Sequence, residues 1–109
     1  MERWVEEILM AQFDIYPGTG EGCDFLLELQ DNMLDALSTR VVAPLVAEEA
    51  LGHTMRLLNP RLVVDGRPHV LLTHLLAAIP KKSLGQPVGS ASSQRDEIVG
   101  SIDMLFTGI

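Results

Sequence analysis

The dipeptide Asp65-Gly66 restricts the fold of this chain more than any other part of the sequence. It separates two strand-like runs, Arg61–Val64 and residues 67–73. Asp-Gly is a preferred pair at the centre of a type I′ turn, because both central positions take a positive φ that most residues avoid. A two-residue connection can join antiparallel strands, whereas parallel strands need a long crossover. The sequence therefore predicts a tight antiparallel hairpin.

Three segments upstream are also typical of short strands. Residues 12–16 alternate polar with apolar side chains and lead into a flexible loop at 17–22, and residues 23–30 carry apolar residues at a period of two. Residues 40–46 form a third strand, in which Pro44 has no N–H to donate and indicates an edge, a bulge or a strand end. Short strands with tight turns and one terminal helix favour a mainly β fold, a small and partly open barrel with an appended helix.

Residues 93–109 are predicted to form that helix and to continue it to the last residue. Ser93 followed by Asp96 is similar to a capping box, which satisfies free backbone N–H groups at a helix start. Five apolar residues recur at helical spacing and form one stripe: Ile98, Ile102, Leu105, Phe106 and Ile109. The opposite side carries Asp96, Gly100, Asp103 and Thr107.

Two apolar features have both a structural and a functional interpretation. The helix tip ends in Phe106 and Ile109, with a carboxylate at the negative end of the helix dipole. Either Ile109 closes the core, or the tip binds a partner that supplies a cation. Met33 and Leu34 lie in a turn-rich segment and either cover the end of the barrel or stand exposed on a loop.

Charge and composition exclude several classes of function. The chain has 109 residues and a net charge of −7, from fifteen acidic and eight basic side chains. This charge opposes attraction to the phosphate backbone, so we expect no direct nucleic-acid binding, whereas a basic protein partner is compatible. Cys23 is the only cysteine, which rules out an intramolecular disulfide, and we expect it to be a small buried hydrophobe.

The N-terminal residues 1–10 are predicted to lie outside the folded domain, which would then span residues 11–109. They carry acids and no long apolar core, so they do not resemble a secretory signal, and Met10 is an alternative start. No run in the sequence approaches membrane-spanning length. We therefore expect a soluble cytoplasmic protein with no membrane partner.

The sequence contains no motif for catalysis, metal binding or cofactor binding. The three histidines, His53, His69 and His74, lack metal-ligand spacing, so no metal, no cofactor and no catalytic residue is predicted. A metal-free ribonuclease would need only a general base and an arginine beside the phosphate. Any chain of this size offers as many candidates as this one does: Arg40, Arg56, Arg61, Arg67, His69 and Asp65.

Three segments together resemble the CcdB family, the toxin half of a type II toxin–antitoxin pair. They are residues 12–16 (QFDIY), 40–45 (RVVAPL) and 105–109 (LFTGI), and the resemblance extends over residues 11–109. It implies an SH3-like, partly open barrel with a small β-hairpin extension and a C-terminal α-helix. It also implies a homodimer, a cognate CcdA-like antitoxin, and no enzymatic activity.

Members of that family that poison DNA gyrase bind its A subunit with their C-terminal ends and trap the enzyme on cleaved DNA. The resemblance therefore implies gyrase-binding residues in the turn and at the helix tip: Met33, Leu34, Asp103, Phe106, Thr107, Gly108 and Ile109. Two of these depart from the best-known member, which has tryptophan in place of Thr107 and asparagine in place of Asp103. The leading hypothesis is a gyrase poison; the alternatives are an RNA-cleaving toxin on the same barrel and an inactive relative.

Overall fold

The computed structural model describes residues 11–20 and 22–108. Within them, seven strands occur in chain order: β1 (Asp14–Gly20), β2 (Cys23–Glu28), β3 (Thr39–Ala47), β4 (Arg61–Val64), β5 (Arg67–Leu71), β6 (Ala77–Pro80) and β7 (Gly89–Ser90). The helix α1 (Arg95–Thr107) follows β7. Short 3₁₀ turns connect these elements at Asn32–Leu34, Glu48–Ala50, Thr73–Leu75, Lys81–Ser83 and Ser92–Gln94. The predicted N-terminal extension, residues 1–10, lies outside the described residues, as does Ile109.

The strands pair in the order β4-β5-β3-β2-β1-β7, and β6 pairs with β3. Every pairing among the described strands is antiparallel. Together they form a nearly closed barrel with α1 at its C-terminal end, which confirms the predicted fold class.

The Asp65-Gly66 hairpin has the predicted geometry. Asp65 has a φ of 54° and Gly66 a φ of 76°, and β4 pairs with β5 from Arg61 opposite Val70 to Val64 opposite Arg67. β5 ends at Leu71, two residues before the predicted end, because Thr73 begins a 3₁₀ turn.

Pro44 lies inside β3, at the place where the strand changes partners on one side. Thr39 to Val42 pair with β6, whereas Leu45 to Ala47 pair with β5. The missing N–H of proline therefore falls between two ladders and breaks neither of them. This explains how a long central strand accommodates a residue that indicated an edge or a bulge.

The predicted loop at 17–22 is wrong in its first half, because β1 continues through Pro17 and Gly18 to Gly20. The register with β2 shifts between Pro17 and Gly20, so one irregularity lies within the hairpin. Gly18 permits the close approach: a Cβ atom there would lie 2.1 Å from the carbonyl oxygen of Cys23. Cys23 itself is half-buried rather than buried, because it lies at this exposed end of β2.

The hydrophobic core lies between the sheet and α1. It contains side chains from β1 to β5, from residues next to the strands and from the helix: Phe13, Ile15, Leu27, Leu29, Ala43, Leu45, Leu62, Val64, Leu71, Ala91 and Ile98. Ile102 and Val99 of α1 pack on this cluster while remaining partly exposed.

Both predicted ends of the helix need correction. A 3₁₀ turn at Ser92–Gln94 leads directly into α1, and the N-cap residue Gln94 makes no side-chain hydrogen bond, so the predicted capping box is absent from this start. At the other end, Gly108 adopts a left-handed conformation with a φ of 74°, and its N–H donates to the carbonyl of Met104 at 3.0 Å. Glycine takes this conformation at little steric cost, so α1 ends at Thr107.

A group of polar side chains is buried beside the core. The Tyr16 hydroxyl donates to Glu28 Oε1 at 3.0 Å, and Glu28 Oε2 lies 3.6 Å from Arg40 Nε. Glu28 and Arg40 are 0% and 1% exposed. Burial raises the pKa of Glu28 above its ordinary value of 4.5, because the carboxylate loses water while its nearest guanidinium N–H lies beyond hydrogen-bond distance. Burial and the adjacent Glu28 likewise raise the pKa of Tyr16.

Candidate target-binding surface

The last turn of α1 is exposed, although its first turns are anchored in the core. Ile98 is 0% exposed, Ile102 and Leu105 are half-buried, and Phe106 is 68% exposed. The helical stripe therefore leaves the core as it approaches the tip. At this exposure Phe106 contributes little to the core, so its side chain is available for contact with another molecule.

A pair of buried hydroxyl groups fixes the orientation of α1. Ser101 Oγ donates to the carbonyl of Ile98 at 2.7 Å and lies 3.0 Å from Thr73 Oγ1. Thr73 and Ser101 are both 0% exposed. This contact joins the middle of the helix to the 3₁₀ turn after β5, so it sets which residues of α1 face outward.

The polar side chains at the tip are exposed and leave it negatively charged. Asp103, Thr107 and Gly108 are all exposed, and the Thr107 hydroxyl donates to the carbonyl of Asp103 at 2.7 Å. The last turn of α1 contains no basic residue. The negative end of the helix dipole and the Asp103 carboxylate therefore favour a cationic partner group at the tip.

The Met33-Leu34 pair lies on the 3₁₀ turn Asn32–Leu34, where Met33 is 90% exposed and Leu34 is 48% exposed. The interpretation as cover for the barrel end does not hold for Met33. Asp31 starts this turn, because its Oδ1 accepts the Met33 N–H at 2.8 Å. Within the described residues the turn and α1 share no extensive packing contact, so the predicted site residues form two separate exposed patches.

A cavity of about 800 Å³ lies elsewhere, between the segment before β4 and the first half of α1. Its lining includes two arginines and three acids: Arg56, Arg61, Glu48, Asp96 and Glu97. Both arginines are exposed, and Arg61 is paired with Glu48 through Nε. Cationic and anionic side chains that share a cavity can bind a phosphodiester and also accept a proton.

The remaining candidates for RNA cleavage do not join that cavity. Arg40 is buried, and Arg67 and Asp65 lie at the β4–β5 turn. His69 is 5% exposed, packs edge-on against Phe25 with ring centroids 5.2 Å apart, and has Nε2 3.7 Å from Asp24 Oδ2. Nothing in the sequence pointed to Glu48 and Glu97 at this site, because residues far apart in the chain line one cavity only after the segment before β4 and α1 have folded together.

Metal and membrane chemistry receive no support from the described residues. Among residues 11–20 and 22–108, no three histidine, cysteine or carboxylate side chains are grouped to hold a metal ion. In the same part of the chain, α1 falls short of the length and apolar character that a membrane-crossing helix requires.

The family model of the CcdB protein matches residues 12–108, which is nearly the whole chain. The chain belongs to the CcdB family. It is therefore a toxin of a toxin–antitoxin system. The match begins beyond residues 1–10 and includes both exposed patches up to Gly108.

Solved structures of other toxins share the fold at low sequence identity. A mycobacterial endoribonuclease in complex with its cognate antitoxin has a TM-score of 0.70 and 13% identity, over 88% of this chain and 93% of that chain. The Mycobacterium tuberculosis toxin MazF-mt6 has a TM-score of 0.68 and 18% identity, over 85% and 95%. MazF from Deinococcus radiodurans has a TM-score of 0.65 and 12% identity, over 93% and 98%.

These structures correct one expectation drawn from the sequence. The family resemblance implied a chain without enzymatic activity, and that prediction is contradicted because toxins named as endoribonucleases have this fold. The barrel with its C-terminal helix therefore serves as a scaffold for RNA cleavage in other toxins. Having this fold therefore does not exclude enzymatic activity. Whether a protein with this fold binds a protein target or cleaves RNA depends on its surface residues.

Proposed function

We propose that this chain is a growth-arresting toxin that binds the A subunit of DNA gyrase and traps the gyrase–DNA cleavage complex. The observation that carries the proposal is Phe106, 68% exposed at the tip of a helix whose first turns are buried. An aromatic side chain at an exposed helix end can fill a pocket on a partner and supply a large part of the binding energy. Asp103, Thr107 and Gly108 complete the described part of this patch, and we propose that Ile109, which lies outside the described residues, binds the same target.

The charge of the protein favours a basic target surface. The chain carries −7 overall, and the tip adds the Asp103 carboxylate to the negative end of α1. Opposite charges accelerate association and fix the orientation of the two partners. The exposed Met33 and Leu34 provide a second apolar contact for the same partner.

We further propose a cytoplasmic homodimer that is neutralised by a CcdA-like antitoxin. Two copies related by a two-fold axis would present two tips to the target. Membership of a toxin–antitoxin family supports the antitoxin, and one matched structure contains its own cognate antitoxin.

Expression without antitoxin tests this function in cells. Wild-type chain should arrest growth, and deletion of residues 107–109 should abolish the arrest while the circular dichroism spectrum stays that of the folded protein. Val63→Ser is a matched control, because Val63 is 64% exposed but lies on β4. Arrest by the truncated chain at wild-type levels would refute a role for the tip. No arrest by the wild-type chain would favour an inactive relative.

RNA cleavage is a second candidate, and the cavity beside α1 supports it. Arg56 and Glu97 are both exposed and line this cavity, so it contains a guanidinium and a carboxylate. The carboxylate would accept the proton of a ribose 2′-hydroxyl, whose oxygen would attack the adjacent phosphorus as the bond to the 5′-oxygen breaks, and the leaving 5′-oxygen would take a proton from water. The guanidinium would stabilise the charge on the phosphate.

Incubation of purified protein with total RNA tests this candidate. Cleavage that is lost in Arg56→Ala and Glu97→Gln, but kept in Arg67→Ala, would support it, because Arg67 lies outside that cavity. RNA that stays intact with a large excess of purified wild-type protein, when the same protein arrests growth on expression in cells, would refute RNA cleavage.

A further inference from the structure

We propose that Arg40 is a positioning residue for the exposed turn Asn32–Leu34. Its buried guanidinium hydrogen-bonds to backbone carbonyls of the segment between β2 and β3 and thereby fixes the positions of Met33 and Leu34. The consequence for gyrase rests on the proposed function, whereas the effect on the turn is independent of it.

The guanidinium binds the backbone of this segment at three places. Nη1 donates to the carbonyls of Leu37 and Thr39 at 2.8 and 2.9 Å, and Nη2 donates to the carbonyl of Asp35 at 3.1 Å. Alternate carbonyls from 35 to 39 therefore converge on one buried side chain. Carbonyls of a loop need such partners when they face inward, since an unpaired buried acceptor is costly.

Gln30 extends the same arrangement toward the exposed turn. Its Nε2 donates to the carbonyls of Leu34 and Thr39, both at 3.2 Å, and its Oε1 accepts the Val41 N–H at 3.2 Å. Leu34 thus has its carbonyl tied to the end of β2. Arg40 and Gln30 meet at Thr39, so their hydrogen bonds form one connected network.

The ion pair of Arg40 does not explain why an arginine is buried here. Glu28 Oε2 lies 3.6 Å from Nε, beyond hydrogen-bond distance, and Asp35 Oδ1 lies 3.5 Å from Nη2. A buried ion pair is weak evidence for stability, because desolvation offsets the attraction. The well-formed bonds of the guanidinium go to loop carbonyls instead. They need the planar fork of arginine, which lysine cannot reproduce.

Polar side chains hold the start of the exposed turn. Asn32 Oδ1 accepts the Gln12 N–H at 2.7 Å, and Asp31 Oδ1 accepts the Met33 N–H. Packing does not hold the apolar residue that the turn presents, because Met33 is 90% exposed. A loop that is mobile before binding loses conformational entropy when a partner orders it, and this loss weakens binding. A turn fixed in advance by Arg40 avoids that cost, so Arg40 should affect affinity without touching the partner.

Arg40→Lys tests the proposal, because it keeps the buried charge beside Glu28 and removes the fork of donors. We expect hydrogen–deuterium exchange of the Leu34, Asp35 and Leu37 amides, which are hydrogen-bonded within the segment, to accelerate by about tenfold or more. The amides of Leu71 and Val88, bonded to residues 60 and 15, report on the rest of the barrel and should not change.

Affinity for the gyrase A subunit gives the second readout. Arg40→Lys should weaken binding by about threefold to tenfold, the cost of ordering the turn on binding. In a Met33→Ala background the same change should weaken binding much less, because the group that Arg40 positions is already removed. If Arg40→Lys does not fold, the paired change Arg40→Met with Glu28→Gln removes both charges together and is measured in the same way.

Each outcome decides the proposal. Faster exchange confined to residues 34–37 supports positioning. Unchanged exchange at residues 34–37 would show that Arg40 does not hold the turn and would overturn the proposal. Equal acceleration at Leu71 and Val88 would show that Arg40 stabilises the whole barrel, which also overturns it. If wild-type protein does not bind gyrase, the proposed function fails while the exchange data still decide the role of Arg40. If wild-type protein binds gyrase, and Arg40→Lys accelerates exchange only at residues 34–37 but leaves the affinity for gyrase unchanged, fixing the turn does not contribute to binding. That result also overturns the proposal.

Discussion

Truncation of Phe106 separates a role in target binding from a role in folding. Phe106 is 68% exposed, so only about a third of its side chain is buried in the free protein. Full burial of a phenylalanine contributes about 1.5–3 kcal/mol, so Phe106→Ala should cost at most about 1 kcal/mol of unfolding free energy. The higher helix propensity of alanine offsets part of that cost. In a complex, loss of a central aromatic costs about 2 kcal/mol or more, which is about thirtyfold in affinity.

Ile98→Ala is the matched control on the same helix. Ile98 is 0% exposed in the core cluster, so its truncation should cost about 2–5 kcal/mol of unfolding free energy. Urea unfolding gives the stability of each variant, and titration of the gyrase A subunit gives the affinity. A role for Phe106 in target binding rather than in folding is refuted if Phe106→Ala destabilises the fold as much as Ile98→Ala does, or if Phe106→Ala binds the subunit as tightly as wild type.

Three further predictions test the tip, the buried carboxyl and the first hairpin. Thr107→Trp adds the aromatic that the best-known family member carries, so it should tighten binding to the gyrase A subunit by about tenfold. The unfolding free energy should change by less than about 0.5 kcal/mol. Binding equal to or weaker than that of wild type would contradict this prediction. The raised pKa of Glu28 means that the folded protein binds this proton more tightly than the unfolded chain does, so stability should rise as pH falls from 7 toward 4.5. Urea titrations over that range should show a smaller rise for Glu28→Gln than for the surface control Glu49→Gln, and parallel profiles would contradict the assignment. Gly18→Ala should lower the unfolding free energy by about 2 kcal/mol or more, because its Cβ would lie 2.1 Å from a backbone oxygen. In the control Gly52→Ala the added Cβ meets no atom within 4 Å, so the unfolding free energy should change by about 0.5 kcal/mol or less. Equal midpoints of the two variants in thermal unfolding would refute the close contact at Gly18.

Local sequence signals predicted the parts of the fold that local physics determines. Asp65-Gly66 forms the expected turn, because two positive φ values leave few alternatives. The apolar stripe of α1 predicted its buried side through Ile98 and Ile102. The barrel itself followed from several short strands and one terminal helix.

The errors arose where a partner strand or the chain geometry overrides local preference. Pro17 and Gly18 indicate a loop, yet pairing with β2 keeps them in a strand. Ser93 is a good capping residue, but the 3₁₀ turn before α1 leaves the N-cap position to Gln94. A capping pattern alone does not specify which residue begins the helix when an irregular turn precedes it.

The sequence itself left the helix tip and Met33-Leu34 open between a structural and a binding role, and only the family resemblance assigned them to a target. Periodicity placed Phe106 on the same stripe as Ile98 and gave no sign that one is buried and the other is 68% exposed. That difference depends on where the barrel ends beneath α1, which is a tertiary property. The convergence of loop carbonyls on Arg40 is likewise invisible in the sequence, because its partners are backbone atoms.

A DNA-cleavage assay with purified gyrase tests the central claim most directly. The protein is incubated with gyrase, ATP and supercoiled plasmid, and detergent with protease then reveals trapped breaks as linear DNA. Gyrase poisoning through the helix tip predicts linear DNA with wild-type protein and its loss after deletion of residues 107–109. Absence of linear DNA with wild-type protein, using gyrase from the native host, would contradict gyrase poisoning, as would equal amounts of linear DNA from the truncated chain.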